Sequence, residues 1–347
     1  RQIPQHHKLA NLTVKTSNLC SEITLPTGID KDGRDRTAVC CLSSLNLEKY
    51  DEWKDDKAMI NDVMRFLDNV LTDFIDRAPE QFADAKYSAE RERSVGLGVM
   101  GFHSYLQKNQ IPLESVMSKV WNKKIFKHIQ ENVDQASKDL AEERGACPDA
   151  ADYGYNERFS NKTAIAPTAS ISIICGGASP GVEPVAANSY THKTLSGSFN
   201  VRNRYLVELL EKYEKNTEEV WSGITTNQGS VSHLDFLTAL EKDVFKTAFE
   251  LDQKWIIELS GDRTPHISQA QSINLFLAAD VHKKELHKIH FDAWKKGLKS
   301  LYYCRSKSIQ RAENVNDSKS TDILANVYKQ KPTVSKDPEY EECLSCQ

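Results

Sequence analysis

The sequence predicts an α/β protein. Short apolar runs that suit buried strands alternate along the chain with longer segments whose apolar residues recur at helical spacing. That alternation implies a largely parallel sheet with helical cover. The composition, 39% hydrophobic and 27% charged with a net charge of -4, is that of a globular protein. A length of 347 residues suits two ordinary domains or one large α/β unit.

The first sixteen residues are polar, include His6-His7-Lys8, and read as a flexible lead-in. From residue 17 to about 314 the chain reads as one folded unit. Apolar runs at residues 23–25, 37–42, 163–166, 272–276 and 300–303 are the expected strands. Met59, Ile60, Val63, Met64, Leu67, Val70, Leu71 and Phe74 repeat at helical spacing and predict a helix over residues 55–78. Further helices are expected over residues 88–108, 115–144, 204–213, 234–259 and 283–299. Gly145 stands where a C-terminal cap belongs, with Pro148 just beyond. From residue 315 onward Asn, Asp, Ser, Lys and Pro dominate without an apolar period, which predicts a mobile tail over residues 315–347.

The mildly acidic balance argues against a protein built to grip a nucleic acid polymer. No run approaches the ~18 consecutive apolar residues of a membrane span, and no signal peptide is recognisable. Eight dispersed cysteines in a chain able to build a core do not suggest a secreted disulfide framework; the expected setting is reducing and cytoplasmic. The chain begins Arg1-Gln2-Ile3-Pro4 and its first recognisable element is already a reactive-looking loop. It therefore reads as the second part of something larger, whether through cropping, protein splicing or a divided gene.

Ser17-Asn18-Leu19-Cys20-Ser21-Glu22 places an amide, a thiol and a carboxylate at alternate positions. Together they offer a hydrogen-bond clamp, a sulfur reactant and a proton acceptor, although the same residues would also serve as a strand entry with a buried cysteine. Gly96-Leu97-Gly98-Val99-Met100-Gly101 formally matches a dinucleotide fingerprint. The polar, helix-like residues before it offer no strand to enter the turn, so close helix packing is the better reading. His287 and His290 are spaced to share a metal on a helix face, but Lys283, Lys284 and Lys288 beside them make a solvated basic face the simpler account. Cys343-x-x-Cys346 lacks the second pair of a zinc ribbon, and no metal site is expected. Pro167-Thr168-Ala169-Ser170 ends an apolar run. If it opens a helix, its backbone N–H groups suit a phosphate, or its hydroxyls simply cap the helix.

These motifs occur in a telling order: Ser17-Asn18-Leu19-Cys20-Ser21-Glu22, then Cys40 in Ala38-Val39-Cys40-Cys41-Leu42-Ser43-Ser44-Leu45-Asn46-Leu47, Pro167-Thr168-Ala169-Ser170, Gly181-Val182-Glu183-Pro184, Leu301-Tyr302-Tyr303 and the terminal Cys343-Leu344-Ser345-Cys346. The sequence closely resembles the C-terminal half of the large, catalytic subunit of class I ribonucleotide reductases, from about Ser17 to Arg311 and again at the last residues. The resemblance implies the second half of a ten-stranded α/β barrel with a central cysteine finger loop. It implies that Cys20 becomes a thiyl radical, Glu22 accepts the substrate's 3′-hydroxyl proton and Asn18 holds a ribose hydroxyl. Thr168, Ala169 and Ser170 then hold the diphosphate, and Tyr302 and Tyr303 relay oxidising equivalents. Cys40 reduces the substrate with a partner cysteine, while Cys343 and Cys346 restore that pair and are themselves reduced by thioredoxin or glutaredoxin.

The chain itself binds no cofactor in this reading; it depends on the metal and radical of a small subunit. The other implied partners are the missing N-terminal half, with the remaining five strands, Cys40's redox partner and the allosteric sites, and a second copy of the complete large subunit. The half alone is expected to be inactive and to expose apolar surface where the other half docks. Two rival readings are a thiol–disulfide oxidoreductase using Cys343 and Cys346 alone, and a catalytically silent assembly protein that kept the fold.

Overall fold

The computed structural model describes residues 3–194 and 197–306. The expectations for the tail and for Cys343 and Cys346 fall outside the described residues. Residues 1–16, read as a flexible lead-in, contain α1 (Gln5–Leu9), and its two histidines are buried. His6 Nε2 meets Ser160 Oγ at 2.8 Å and His7 lies 3.5 Å from Asp149, so these polar side chains anchor the segment. A two-residue antiparallel pair, β1 (Gly28–Ile29) with β2 (Asp35–Arg36), follows the cysteine loop.

Next come β3 (Cys41–Asn46), α2 (Tyr50–Trp53) and α3 (Lys57–Arg77). The side chain of Asp56 accepts from Ala58 N and starts α3, whose Ile60, Met64, Leu67, Leu71 and Ile75 face the core. The single helix expected over residues 88–108 is three elements: α4 (Ala83–Glu92), β4 (Val95–Met100) and α5 (Phe102–Lys108). Arg93 adopts a left-handed φ of 43° and ends α4. Every residue of β4 is buried, so the strand shows no alternation for a sequence pattern to detect. The glycines do permit close approach, though of strands rather than helices: a Cβ on Gly98 would lie 2.4 Å from the carbonyl oxygen of Ala164.

The helix α6 (Val116–Arg144) ends at the expected cap, Gly145, is started by Ser115, whose side chain accepts from Ser118 N, and leads through α7 (Pro148–Ala151) to α8 (Ala169–Ile174). An antiparallel hairpin not anticipated from the sequence, β5 (Ser189–Thr194) with β6 (Gly197–Arg202), precedes α9 (Arg204–Lys212) and α10 (Glu218–Thr226). The expected helix over residues 234–259 is α11 (Ala239–Val244) and α12 (Gln253–Arg263). Between them Glu250 accepts from both Thr247 N and Thr247 Oγ1, which favours a turn over a continued helix. Then come β7 (Leu275–Leu277), α13 (Lys283–Lys295) and β8 (Cys304–Ser306). Residues 23–25 form no ladder; Thr24 N donates to the side chain of Gln269 instead.

Five segments run parallel side by side. β3 pairs with β4 in register Leu42↔Gly96, and β4 is bridged to the third segment at Leu97↔Thr163. Ile165↔Gln271 joins that segment to the stretch ending in β7, which pairs with β8. The helices cover this half-barrel, and the barrel is not closed. The main core lies between α3, α6, α12 and the parallel segments, while Leu206, Leu210, Trp221, Ile224 and Phe245 form a second core under α9–α11.

One charge cluster holds the helical cover together. Asp68, on the buried face of α3, meets Arg93 Nη2 at 2.7 Å, Arg144 Nη1 at 2.9 Å and Arg158 Nε at 2.9 Å. Burial alone would raise the Asp68 carboxyl, but hydrogen bonds and charge from Arg158 and Arg93 outweigh it and hold the group below the usual value. Asp68→Asn keeps the shape and leaves cations without their counter-charge. We expect urea unfolding at neutral pH to show a loss of about 3–5 kcal/mol; a loss within about 0.5 kcal/mol would mean that the cluster contributes no more than a surface pair.

Candidate active site

The cysteine loop is a turn. Ile23 N donates to Asn18 Oδ1 at 3.0 Å and Ser21 N to Asn18 O at 3.1 Å, while Ser21 takes a left-handed φ of 68°. This bend puts Cys20 and Glu22 inside, at 7% and 2% exposure, and leaves Asn18 and Leu19 outside. The alternation Asn18, Cys20, Glu22 therefore does not line one strand face. Asn18 closes the loop through its carbonyl oxygen, which leaves its amide N–H groups as donors to a ligand.

The loop is held from below by the stretch that enters β7. Ala270 N donates to Glu22 O at 2.9 Å, and Ser272 Oγ lies 2.9 Å from Glu22 Oε2 and 2.5 Å from Cys20 O. From above, Ser300 Oγ donates to Ser21 O and Ser21 Oγ to Leu301 O. These contacts set Cys20 Sγ 3.5 Å from the Tyr302 hydroxyl, with the thiol as donor. The Tyr302 and Tyr303 rings are 4.0 Å apart between centroids at 33°, and Tyr303 is 45% exposed. Burial, with the hydrogen bonds of Cys20 and Tyr303, pushes the Tyr302 phenol far above its usual value. It keeps its proton at any neutral pH, so charge passing through it must travel with a proton.

Cys40 precedes β3. Its thiol accepts from Gln269 Nε2 at 3.3 Å, and burial raises it against that hydrogen bond. Gln269 also takes Thr24 N on its oxygen and gives a second bond to Val95 O, so one amide ties the cysteine loop, Cys40 and β4 together. Cys41 lies within β3 opposite Val95.

Thr168, with a left-handed φ of 58°, accepts from Gly181 N at 2.7 Å through its hydroxyl and does not cap α8. The first intrahelical bond runs from Ser172 N to Thr168 O, so the N–H groups of Ala169 and Ser170 precede it. Ala169 and Ser170 line a cavity of about 660 Å³ together with Arg202, Arg204 and Tyr205. Neither Cys20 nor Glu22 lines it. Ile171, Ile173 and Ile174 of α8 are exposed, as is Leu19.

The family model described as "Ribonucleotide reductase, barrel domain" matches residues 2–157 and 149–304. The chain belongs to the ribonucleotide reductase barrel family. Its relatives include a ribonucleoside-diphosphate reductase large subunit of Invertebrate iridescent virus 6, 50% identical over 86% of this chain and 31% of that protein. A large subunit of Invertebrate iridescent virus 3 is 45% identical over 92% of this chain and 50% of its own length. The class Id ribonucleotide reductase alpha subunit of Actinobacillus ureae shares the fold with a TM-score of 0.81 and 39% identity, over 88% of this chain and 56% of that one. The chain thus spans between about a third and just over a half of the length of the curated relatives it matches. Among the described residues no helix is long and apolar enough to cross a membrane.

Gln269, Ser272 and Asn274 escaped the sequence reading, although they support every reductase motif around the loop. The signal was present: amides and a hydroxyl inside an apolar run must find partners once buried. Asn274 Oδ1 accepts from Tyr303 N at 3.0 Å, and its side chain neighbours the buried Glu183, whose Oε1 has no hydrogen-bond partner. Burial pushes the Glu183 carboxyl up to about 7, opposed by Asn274 and by the charge of Arg305. The folded value lies above the ordinary 4.5, so the native state keeps a proton that the unfolded chain has released. The stability this supplies is full below 4.5 and is lost as pH rises through about 7. Glu183→Gln, which keeps an acceptor for Asn274, should therefore flatten the fall of the urea midpoint across that window. An unchanged slope would show that Glu183 does not titrate there.

Proposed function

We propose that this chain is the reactive-loop half of the catalytic subunit of a ribonucleoside-diphosphate reductase, which makes deoxyribonucleoside diphosphates for DNA precursor synthesis. The observation that carries the reading is the contact from the Cys20 thiol to Tyr302, continued by the closely packed, exposed Tyr303. A cysteine kept only for packing does not need a phenol pair leading from it to the surface. The names of the relatives supply the substrate class.

Tyr303 receives an oxidising equivalent from a small subunit whose metal cofactor and radical supply it. Tyr302 then takes a hydrogen atom from Cys20. The Cys20 thiyl removes the 3′ hydrogen of the bound ribonucleotide, Glu22 accepts the 3′-hydroxyl proton, and Asn18 holds a ribose hydroxyl with its amide. Thr168, Ala169 and Ser170 hold the diphosphate. The 2′-hydroxyl leaves as water with a proton from the thiol pair formed by Cys40 and a cysteine of the preceding half. That pair gives its other proton and two electrons to the sugar and becomes a disulfide, and Cys20 and Glu22 return the hydrogen and proton they took. Cys343 and Cys346 reduce the disulfide and are reduced in turn by thioredoxin or glutaredoxin. The preceding half docks on the open barrel, against apolar side chains such as those exposed on α8 and at Leu19, and the complete subunit pairs with a second copy in the cytoplasm. A thiol–disulfide oxidoreductase using the terminal cysteines alone would leave the Cys20–Tyr302 contact without a role.

The test is complementation with the preceding half and the radical-bearing small subunit, assayed for deoxynucleotide formation. Cys20→Ser should abolish turnover while the complex still assembles. Tyr302→Phe and Tyr303→Phe should each lower turnover by at least about a hundredfold, or ~2.7 kcal/mol. Substrate affinity should hold and the small subunit's radical should persist. Phenylalanine keeps the ring, so a purely packing role costs only about 0.5–1.5 kcal/mol of stability. Near-normal turnover by either Phe variant returns the pair to the core.

A further inference from the structure

Glu22 is buried at 2% exposure, and among the described residues no lysine or arginine forms an ion pair with it. Its side-chain oxygen instead faces the hydroxyl of Ser272, 2.9 Å from Oε2. The same hydroxyl is 2.5 Å from the carbonyl oxygen of Cys20. Ser272 is itself 2% exposed, and its backbone N donates to Ile165 O at 2.9 Å, so it is fixed in the parallel ladder. A serine hydroxyl has one hydrogen and here faces two acceptors, one on the proposed base and one on the backbone that carries the thiol.

We infer that Ser272 is a positioning residue, a hydroxyl latch that aims Glu22 at the substrate and turns to the Cys20 carbonyl when Glu22 has taken its proton. This rests on the proposed role of Glu22. With Glu22 ionised, its carboxylate is the stronger acceptor and the Ser272 hydrogen points to Oε2. When a substrate proton arrives on the other carboxyl oxygen, Oε2 becomes a weak carbonyl acceptor. Cys20 O is then the better partner, and the hydroxyl rotates. The covalent O–H bond of the serine stays intact: one proton moves from the 3′-hydroxyl to Glu22, and the serine only exchanges one hydrogen-bond acceptor for another. The buried carboxylate is thus never without a donor before the transfer, and the Cys20 backbone is clasped after it, when the thiol must be restored in place.

The inference is tested in the complemented complex with the small subunit and a ribonucleoside diphosphate, using dithiothreitol as reductant. Ser272→Ala should lower kcat by about tenfold or more, the scale of a hydrogen bond to a charged group, with KM within about twofold. Ser272→Thr keeps the hydroxyl and should retain kcat within about threefold. Assembly is read on the same samples. A Ser272→Ala complex with normal kcat, a change in KM alone, equal losses for Ala and Thr, or an assembly deficit that accounts for the whole loss would each overturn the latch. A wild-type complex that makes no deoxynucleotide overturns the functional reading itself, and the latch with it. An active wild-type complex beside an unimpaired Ser272→Ala overturns the latch alone.

Discussion

The hydrogen bonds that pass sideways through the half-barrel place everything else. Ala164 N donates to Leu97 O, Ile165 N to Ala270 O, Ser272 N to Ile165 O and Tyr302 N to Ile273 O. In a parallel arrangement each strand returns through a covering helix, so residues far apart in sequence meet at fixed register. That register sets the six residues from Gln269 to Asn274 beneath the cysteine loop and beside the tyrosine pair. Slip it by one residue and Ser272 and Asn274 would face the opposite side.

Burial gives this stretch its second role. Polar side chains inside a core must be satisfied, and each one here takes a partner from a different part of the chain. Gln269 reaches Thr24, Cys40 and Val95; Ser272 reaches Cys20 and Glu22; Asn274 reaches Tyr303. The side chains themselves have little freedom to leave, because leaving any of the groups unpaired costs about 1–3 kcal/mol. The site is rigid for the same reason that the core is specific.

Much of this was legible in the sequence. The long helix α3 announced itself through its apolar spacing and α6 through its stop at Gly145, and the ordered motifs from Cys20 to Tyr303 marked the family. The misses share a cause. β4 is buried on both faces, so its Gly-rich, apolar run carried no period of two and was absorbed into a helix. The segment at residues 163–165 is bridged at single residues only, and the Cys20 turn depends on side-chain bonds from Asn18 and Ser21. His6 and His7 looked like solvated residues because their partners, Ser160 and Asp149, lie more than 140 positions away. Local pattern reports what a segment does by itself; it is silent where a distant partner decides.

The open half-barrel has two borders. Among the described residues, β3 pairs only with β4 and β8 only with β7, so each presents a row of backbone donors and acceptors on its far side. Such rows are templates for strand addition, and proteins usually blunt them. β8 is short and carries Arg305 at its centre, whereas β3 is six residues long and starts just after Cys40. The two borders therefore differ in how readily they would recruit a stray strand. A wrong partner would seat first along β3, the longer border, whose first residue follows Cys40, so guarding that border against promiscuous pairing also keeps the backbone around that thiol in place.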